Sequence, residues 1–268
     1  MEPYETLSVQ DHGAVRLLTL NQPQRFNPLD FASGPELARA LEDAQAAAGV
    51  GAVVLTGAGK AFAAGGDVRQ MRDIVENGGD IRRFFSDLAY ILAKTTITLR
   101  RLRLPVIAAI NGVAAGGGLA WALAADLALA AEGVRFDPAY IRIAVCPDGG
   151  ASAIVPRLIG HKRASEFFLL GRAIDAATAR DWGLINQVVA PAELLPRALE
   201  AAERLAQAPA QALARTKALL NQAVFGDLEV VLENERQGIM DLCGQPDFAE
   251  GLRAFFEKRP TRFNQGRP

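Results

Sequence analysis

The chain has 268 residues, half of them hydrophobic, which is enough for one large domain with a sizeable core. Its 29 Lys and Arg residues are balanced by 30 Asp and Glu residues. No excess of positive charge therefore indicates binding to nucleic acid or to an anionic membrane. The cysteines, Cys146 and Cys243, and the histidines, His12 and His161, have no spacing typical of a metal site, so we expect no bound metal.

The start of the chain, MEPYETLSVQDHG, is polar and acidic, which is not the pattern of a secretory signal. Residues 104–125 carry no charge and are long enough to span a bilayer, but Pro105, Asn111 and four glycines interrupt them. We interpret this stretch as a buried strand, a turn and a buried helix. The sequence therefore predicts a soluble cytoplasmic protein.

The apolar pattern of the first half predicts strands that alternate with helices. Strands are expected at 7–9, 15–20, 52–56, 106–110 and 127–130, and helices from 33, at 68–77, at 81–101 and after the glycines at 116–118. Ser33, with Pro35 soon after it, is expected to cap the first of these helices.

The second half is predicted to become mostly helical. Residues 136–153 are expected to be irregular, and the helices are expected at about 153–170 with a break at Gly160, at 175–183, at 193–206 and in three pieces over 210–258, with one small strand at 187–189. This succession predicts an α/β fold with a helical C-terminal extension.

Two glycine-rich loops, 57–67 and 111–118, follow apolar strands. The three glycines at 116–118 allow a ligand to approach the backbone closely. They also open a helix whose first N–H groups have no internal partner and can hold a developing negative charge. A tight strand-to-helix turn explains the same glycines equally well.

Nucleotide-binding motifs do not fit these loops. In the pattern G-x-x-x-x-G-K-[ST], Val54 stands where the first glycine belongs, and Ala61 follows Lys60. In the pattern G-x-G-x-x-G, Phe62 stands where the third glycine belongs. The sequence therefore disfavours a kinase or a dinucleotide-dependent dehydrogenase.

Six segments resemble the crotonase superfamily, the enoyl-CoA hydratases and isomerases. They are NQPQRFNPL at 21–29, GKAFAAGGDV at 59–68, NGVAAGGG at 111–118, PDGG at 147–150, WGLINQVV at 182–189 and EGLRAFFEKRPTRF at 250–263. The resemblance implies an α/β crotonase (ClpP/crotonase-like) spiral of ββα units over 1–205. It also implies a helical C-terminal trimerisation segment over 206–268 and assembly into a homotrimer or homohexamer.

The resemblance further implies that the chain acts on acyl-CoA thioesters. One backbone N–H from each glycine-rich loop, that of Gly66 and that of Gly117, is expected to bind the thioester oxygen, so that an enolate can form. Losing one such donor typically costs about 3 kcal/mol of activation free energy. No cofactor beyond the CoA of the substrate is implied.

The CoA moiety is expected to contact several other positions that match the family. Arg25 is expected to reach a CoA phosphate, residues 60–64 to flank the adenine and pantetheine, and Phe255 and Lys258 to lie at the nucleotide end, from this subunit or a neighbour. A lone Arg or Lys can equally be a solvated surface charge. The full set of expected substrate and CoA contacts is Arg25, Lys60, Ala61, Phe62, Ala64, Asp67, Val68, Tyr140, Phe255 and Lys258.

The sequence departs from the family at the two glutamates with which the hydratases activate water. Ala120 occupies the first of these positions and Tyr140 the second. Neither residue is a carboxylate base, so an ordinary water-adding hydratase is disfavoured. We interpret Tyr140 as a wall of the pocket, Asp67 as a residue that fixes its own loop, and Trp121 and Trp182 as core residues.

Asp148, in PDGG, matches the aspartate of the phenylacetate-pathway isomerase subgroup and the nucleophile of 4-chlorobenzoyl-CoA dehalogenase. That dehalogenase also has a histidine where Ala93 stands and a tryptophan where Tyr140 stands, so dehalogenation is disfavoured. Asp148 could instead cap the following helix. The favoured reading is an enoyl-CoA isomerase in which Asp148, with a pKa raised by apolar surroundings, moves a proton.

Two alternatives to isomerisation remain open. One is another crotonase reaction, such as hydration with an unusual base or thioester hydrolysis. The other is a protein that binds acyl-CoA without catalysis. Residues 69–85 are expected to shape the acyl pocket, but the sequence does not specify the acyl group.

Overall fold

The structure, a computed structural model, describes residues 3–264, and ten strands in this range form two sheets. The larger sheet has the order β1-β2-β3-β5-β7-β10, and the smaller one has the order β4-β6-β8-β9. The strands are β1 Leu7–His12, β2 Val15–Leu20, β3 Ala52–Gly57, β4 Ala61–Ala63, β5 Val106–Ile110, β6 Val113–Ala115, β7 Leu127–Ala131, β8 Arg135–Asp137, β9 Ile174–Asp175 and β10 Gln187–Val189.

In the larger sheet, β1 and β2 form an antiparallel hairpin, and every later strand pairs parallel to its neighbour. All residues of β3 and β5 are buried. Parallel strands that are covered on both faces read as continuous apolar runs, and the AVVLT and VIAAI segments have this character. All five strands predicted in the first half of the chain are present.

The smaller sheet consists of short strands, and three of its four strands directly follow a strand of the larger sheet. β3 is followed by β4, β5 by β6 and β7 by β8, and a helix or a 3₁₀ turn comes next in each case. This repeated arrangement is the ββα spiral that the resemblance implies. The sequence predicted loops at these places because strands of only three residues carry no detectable periodicity.

The helices largely have the predicted bounds. They are α1 Ser33–Ala46, α2 Val68–Glu76, α3 Ile81–Arg101, α4 Gly117–Ala124, α5 Ala151–Leu170, α6 Ala176–Trp182, α7 Leu194–Ala206, α8 Ala210–Phe225, α9 Leu228–Cys243 and α10 Pro246–Glu257. Within α5, Gly160 has non-helical backbone angles, which places the kink at the predicted break. Short 3₁₀ turns lie at Pro23–Arg25, Tyr140–Ile143 and Pro191–Glu193.

The predicted capping role of Ser33 is wrong. Ser33 is the first residue of α1, and Asp30 Oδ1 accepts hydrogen bonds from the N–H groups of Ala32 and Ser33. The Ser33 hydroxyl instead donates to the carbonyl of Pro28. A carboxylate accepts charge-assisted hydrogen bonds, which are stronger than those of a neutral hydroxyl, and this favours Asp30.

The C-terminal helices pack on the rest of the chain. α9 runs along α3, and Ile239, Phe248 and Leu252 from α9 and α10 belong to the same hydrophobic core as the sheets. The last residues of the predicted segment, 265–268, lie outside the described range.

Within residues 3–264, no helix combines the length and the apolar character needed to cross a membrane. The uncharged stretch 104–125 is divided between β5, β6 and α4, and α4 has only 8 residues. Trp121 of this stretch is fully buried, which confirms the prediction that it is a core residue, whereas Trp182 is only partly buried.

Candidate active site

The two glycine-rich loops are held together by the parallel pairing of β4 with β6. Two glycines of the second loop make this approach possible. A Cβ atom at Gly112 would lie 2.1 Å from the carbonyl oxygen of Lys60, and one at Gly118 would lie 2.2 Å from that of Ala63. Both distances are impossible for a side chain, so the glycines are needed for the two loops to touch.

This contact brings the two expected oxyanion donors to adjoining segments. Gly117 is the first residue of α4, so its N–H has no acceptor within the helix. Gly66 follows Gly65, and a Cβ atom at Gly116 would lie 3.7 Å from the Cα of Gly65. Within residues 3–264, neither the Gly66 N–H nor the Gly117 N–H has a hydrogen-bond acceptor. Two unused donors on touching loops are what an oxyanion hole requires.

Apolar side chains surround both donors. Met71 and Leu88 lie next to Gly66, and Leu29 and Leu92 lie next to Gly117. All four are buried. A dry, low-dielectric environment strengthens the interaction of an N–H group with a developing negative charge.

Asp148 lies beside the second donor. Only 7% of this residue is exposed, and its Oδ1 atom is buried without a hydrogen-bond partner in the described part of the chain. A Cβ atom placed on Gly117 would lie 3.6 Å from this Oδ1 atom. The carboxylate is therefore close enough to serve a substrate whose carbonyl oxygen is bound at Gly117.

Burial raises the pKa of Asp148 to about 6, and the neighbouring Tyr140 hydroxyl partly opposes this rise. A carboxyl group with this pKa is ionised at neutral pH but is a stronger base than an ordinary aspartate. It matches the requirement for a group that takes up a proton and returns it.

The alternative interpretation of Asp148 as a helix cap does not fit the structure. The residue that precedes α5 is Gly150, and no side chain of its own segment caps this helix. Glu235 of α9 has this role. Its Oε2 accepts from the N–H of Gly150 at 2.8 Å, and its Oε1 accepts from the N–H and the hydroxyl of Ser152 at 2.9 Å and 2.5 Å.

Sequence reasoning missed Glu235. Glu235 is distant from PDGG in the chain and belongs to no motif. In the sequence it looks like the other carboxylates of an amphipathic helix, which are exposed, so nothing there predicts that it is buried. Yet Glu235 is only 6% exposed, and burial raises its pKa to about 7.

Tyr140 and Ala120 occupy the two positions at which the hydratases have glutamates, and both border Asp148. The Tyr140 hydroxyl donates to the carbonyl of Asp148 at 3.4 Å, and its ring lies 3.9 Å from a Cβ atom built at Gly116. The Ala120 side chain would be 3.3 Å from a Cβ atom at Gly149. Tyr140 is therefore a buried side chain between Gly116 and the turn that carries Asp148.

Arg25 and Asp67 form an ion pair between the 3₁₀ turn Pro23–Arg25 and the N-cap of α2. The distance from Arg25 Nη2 to Asp67 Oδ2 is 2.5 Å, and 46% of the Arg25 side chain is exposed. Asp67 also accepts from the N–H groups of Arg69 and Gln70, so it caps α2. Burial acts to raise the pKa of Asp67, but these hydrogen bonds lower it overall. The structure thus supports the interpretation that Asp67 fixes its loop.

The residues expected to contact CoA at 60–64 differ in how far they are exposed. Lys60 and Ala64 are exposed, whereas Ala61 and Phe62 are fully buried. Asn27, which sequence reasoning also missed, braces this loop. Its side-chain amide donates to the carbonyls of Ala58, Ala61 and Phe62.

The remaining expected contacts lie on α2 and at the end of α10. Val68 is the first residue of α2. Phe255 is 54% exposed near the end of α10, and Lys258 directly follows this helix. The guanidinium of Arg72 on α2 stacks over the ring of Phe256 at 4.2 Å, so α2 and the end of α10 are neighbours within this chain.

No group of three or more metal-binding side chains occurs within residues 3–264. Cys146 and Cys243 are free thiols.

Comparison with known proteins gives consistent matches over the whole chain. The profile of the enoyl-CoA hydratase/isomerase family matches residues 10–266. A probable enoyl-CoA hydratase of Rhizobium meliloti (strain 1021) is 37% identical over 97% of this chain and 98% of its own length. The 1,2-epoxyphenylacetyl-CoA isomerase of Escherichia coli (strain K12) is 35% identical over 93% of this chain and 94% of its own length.

Among solved structures, an enoyl-CoA hydratase from Mycobacterium avium subsp. paratuberculosis K-10 is similar with a TM-score of 0.87 and 32% sequence identity. The match covers 98% of this chain and all of that one. This similarity confirms the predicted crotonase fold.

Proposed function

Because the chain belongs to the enoyl-CoA hydratase/isomerase family of the crotonase superfamily, we propose that it is an enoyl-CoA isomerase that shifts a double bond along the acyl chain of a CoA thioester. The observation that carries this proposal is the environment of Asp148. Its carboxylate is buried beside Gly117, has an unpartnered oxygen, and is not the cap of α5.

The reaction needs one oxyanion hole and one base. The N–H groups of Gly66 and Gly117 donate to the thioester oxygen, which makes the α and γ protons of an enoyl chain more acidic. Asp148 takes a proton from one of these carbons, and the electrons move into a dienolate whose negative charge lies on the thioester oxygen. Asp148 then returns the proton to the other carbon, so the double bond has moved and no atom has been added.

A single carboxylate is sufficient for this sequence because no water takes part. Hydration would require a second group to activate water, and the two residues at the family's glutamate positions do not supply one. Ala120 has no titratable group. Burial raises the pKa of Tyr140 well above its usual value, so its hydroxyl stays protonated and is not a base at neutral pH.

The similarity to 1,2-epoxyphenylacetyl-CoA isomerase supports isomerisation of a CoA thioester as the reaction class. Several other relatives are named as probable hydratases, which makes hydration the alternative that a test must address. For the CoA moiety, we assign Arg25, Lys60, Ala64, Phe255 and Lys258 as the exposed contacts. The active assembly is proposed to be a homotrimer or homohexamer.

The test is to incubate the protein with a 3-enoyl-CoA in heavy water and to follow the products by mass spectrometry. We expect conversion to the 2-enoyl isomer with deuterium at the α or γ carbon. Asp148→Asn, which keeps the size of the side chain but removes the proton acceptor, should lower the rate about 100- to 10,000-fold, the usual contribution of a general base. The exposed carboxylate of Asp181 on α6 provides the control variant Asp181→Asn, which should keep full activity.

The alternatives give different results in the same experiment. A hydratase would add water efficiently to a 2-enoyl-CoA. A protein that only binds acyl-CoA would exchange no deuterium with any thioester. Full isomerase activity in Asp148→Asn would overturn the assignment of the base.

A further inference from the structure

Glu235 lies in the middle of α9, and its carboxylate is directed at the start of α5. Both of its oxygens accept hydrogen bonds, from the N–H of Gly150 and from the N–H and hydroxyl of Ser152. A Cβ atom at Gly150 would lie 3.6 Å from Leu232 on the same helix, so α9 packs closely against this turn. A buried carboxylate thus meets the positive end of α5 from a remote part of the chain.

The turn that carries Asp148 is held at three successive residues by three different elements. The Tyr140 hydroxyl donates to the carbonyl of Asp148, the hydroxyl of Thr96 on α3 donates to the carbonyl of Gly149 at 2.7 Å, and Glu235 accepts from the N–H of Gly150. Of these contacts, only that of Glu235 occupies an N–H group. Glu235 therefore determines whether the N–H of Gly150 is available to the Asp148 side chain.

An aspartate in this position would ordinarily use those donors itself. Asp side chains commonly accept from the backbone N–H two residues further along, which here is the N–H of Gly150. Such a hydrogen bond favours the ionised carboxylate and lowers its pKa, so it would weaken Asp148 as a base and occupy its oxygen. In the structure, Glu235 takes this N–H, and Asp148 Oδ1 has no partner within residues 3–264.

We propose that Glu235 is a positioning residue for Asp148: by accepting the N–H groups at the start of α5, it prevents Asp148 from capping this helix and leaves its Oδ1 atom available to the substrate proton. The inference rests on the proposed isomerase function and deepens it. It also assigns α9, part of the C-terminal helical segment, a direct role in forming the site.

Few titratable groups lie near Asp148, so the influence of Glu235 on the pKa of Asp148 can be measured. The titratable groups that interact with it in the described part of the chain are Tyr140, Cys146 and Glu235. The side chains that α3 and α4 contribute next to its turn, those of Leu92, Thr96 and Ala120, carry no charge. A change in the pKa of Asp148 after substitution of Glu235 can therefore be attributed to that residue.

The experiment compares Glu235→Gln with Ser152→Ala in the full-length protein. Glu235→Gln removes the charge and one of the two acceptor oxygens. Ser152→Ala removes the hydroxyl that donates to Glu235 but leaves both N–H groups bonded, so it is the matched control. We measure kcat, KM and the pH profile for a 3-enoyl-CoA, and we follow the titration of Asp148 by NMR in protein with ¹³C-labelled aspartate, assigning its signal with Asp148→Asn.

We expect Glu235→Gln to lower kcat about 10- to 100-fold, a part of what a general base contributes, with KM nearly unchanged. The pKa of Asp148 and the acidic limb of the pH profile should both move to lower pH, because Asp148 then accepts a hydrogen bond from the freed N–H of Gly150. Ser152→Ala should stay close to the unsubstituted protein in both respects. If Glu235→Gln does not fold, Glu235→Asp, which keeps the charge, is measured in its place, and a smaller shift in the same direction is expected.

Two results would separate failure of this inference from failure of the proposed function. An unchanged Asp148 titration in a folded Glu235 variant would show that Glu235 only stabilises the fold, whatever the activity. If the unsubstituted protein isomerises no 3-enoyl-CoA, the proposed function fails, but the NMR titration still decides whether Glu235 controls Asp148.

Discussion

The hydroxyl of Tyr140 donates a hydrogen bond to the backbone carbonyl of Asp148, and the ring of the same residue lies against Gly116. One buried side chain therefore contacts both the turn that carries the proposed base and the loop that carries a proposed oxyanion donor. Tyr140, which the resemblance places at a glutamate position of the hydratases, thus lies between the Asp148 turn and the Gly116 loop and contacts both.

Tyr140→Phe tests the electrostatic part of this arrangement. The hydroxyl acts to lower the pKa of Asp148 against the effect of burial. Without it, the pKa should rise above its value of about 6, and the acidic limb of kcat/KM should move to higher pH. The ring is kept, so the fold should be unchanged. A limb that stays in place or moves to lower pH would contradict this role of the hydroxyl.

The sequence predicted the elements that have a long apolar pattern. The helix at 81–101 was predicted with its observed bounds, and the break at Gly160 was predicted from the glycine. The strands β4, β6 and β8 were missed because each has three residues and forms only through pairing with the others. These strands form because the fold places them side by side, and their own residues do not indicate a strand.

In the candidate site, too, the sequence located residues that lie in recognisable motifs and missed residues whose partners are distant in the chain. Gly66, Gly117 and Asp148 lie in contiguous motifs, so resemblance located them. Asn27 and Glu235 act on backbone groups of segments that are distant in the chain. Asn27 lies in the matching segment 21–29 but the motif does not indicate its partners, and Glu235 lies in no motif. Such residues become visible only when the fold shows which N–H and carbonyl groups they satisfy.

The burial of Asp148 should also reduce the stability of the protein. Its pKa is raised from 3.8 to about 6, so between these values the folded protein binds more protons than the unfolded chain. The free energy of unfolding contributed by this group therefore falls as the pH rises through this range and stays low above it. At about 1.36 kcal/mol per pKa unit, the cost is at most about 3 kcal/mol.

Asp148→Asn should accordingly be more stable than the unsubstituted protein at pH 8, and the difference should be smaller at pH 5. Urea unfolding at the two pH values measures both quantities. Stability would thus be gained by a substitution that removes activity, as expected where a functional group is kept in an unfavourable environment. A variant that is less stable at pH 8 would contradict the raised pKa of Asp148.

Gly117→Ala should impair catalysis without preventing folding. The added Cβ would lie 2.9 Å from Leu29 Cδ1 and 3.1 Å from Leu92 Cδ1, which are ends of flexible side chains, and 3.6 Å from Asp148 Oδ1. The methyl group therefore intrudes between the donor and the base. If the methyl group keeps the thioester oxygen away from the Gly117 N–H, the rate should fall by about 100- to 1,000-fold, the effect of one oxyanion donor, while thermal unfolding stays cooperative.

Gly118→Ala is the matched comparison for this prediction. Its Cβ would lie 2.2 Å from the backbone oxygen of Ala63, which cannot move without separating the two loops. This variant should lose thermal stability, whereas Gly117→Ala should mainly lose activity. Full activity in Gly117→Ala would contradict the placement of the substrate between Gly117 and Asp148, where the added Cβ would lie.

Arg25→Ala should weaken CoA binding and leave the chemical step intact. Arg25 is half-exposed and already paired with Asp67 and Asp30, so its guanidinium is held at the edge of the first loop. Removing an interaction that is equal in the ground and transition states raises KM without changing kcat. Arg204→Ala, at an exposed position on α7, is the control. Equal affinities of both variants for acyl-CoA in calorimetry would make Arg25 a solvated surface charge.

The assembly can be tested through the apolar residues that α8 and α9 leave exposed in a single subunit. Leu220 and Val224 are one helical turn apart on α8, and Val230 lies near the start of α9, with 59%, 41% and 63% of their surfaces exposed. Exposed apolar side chains on consecutive helices are typical of a surface that another chain covers. Closed symmetric assembly would cover the same surface on every subunit.

Light scattering should therefore give a mass of three or six chains of 28.6 kDa each. Leu220→Asp combined with Val230→Asp should shift the protein to smaller species, whereas Leu169→Asp, at an exposed position on α5, should not. Glu235 lies on α9 and bonds to the start of α5. If dissociation loosens the packing of α9 against α5, the dissociated form should also lose isomerase activity. A stable single chain at micromolar concentration would exclude the trimeric assembly, and the arrangement of Gly66, Gly117 and Asp148 within one subunit would remain as described.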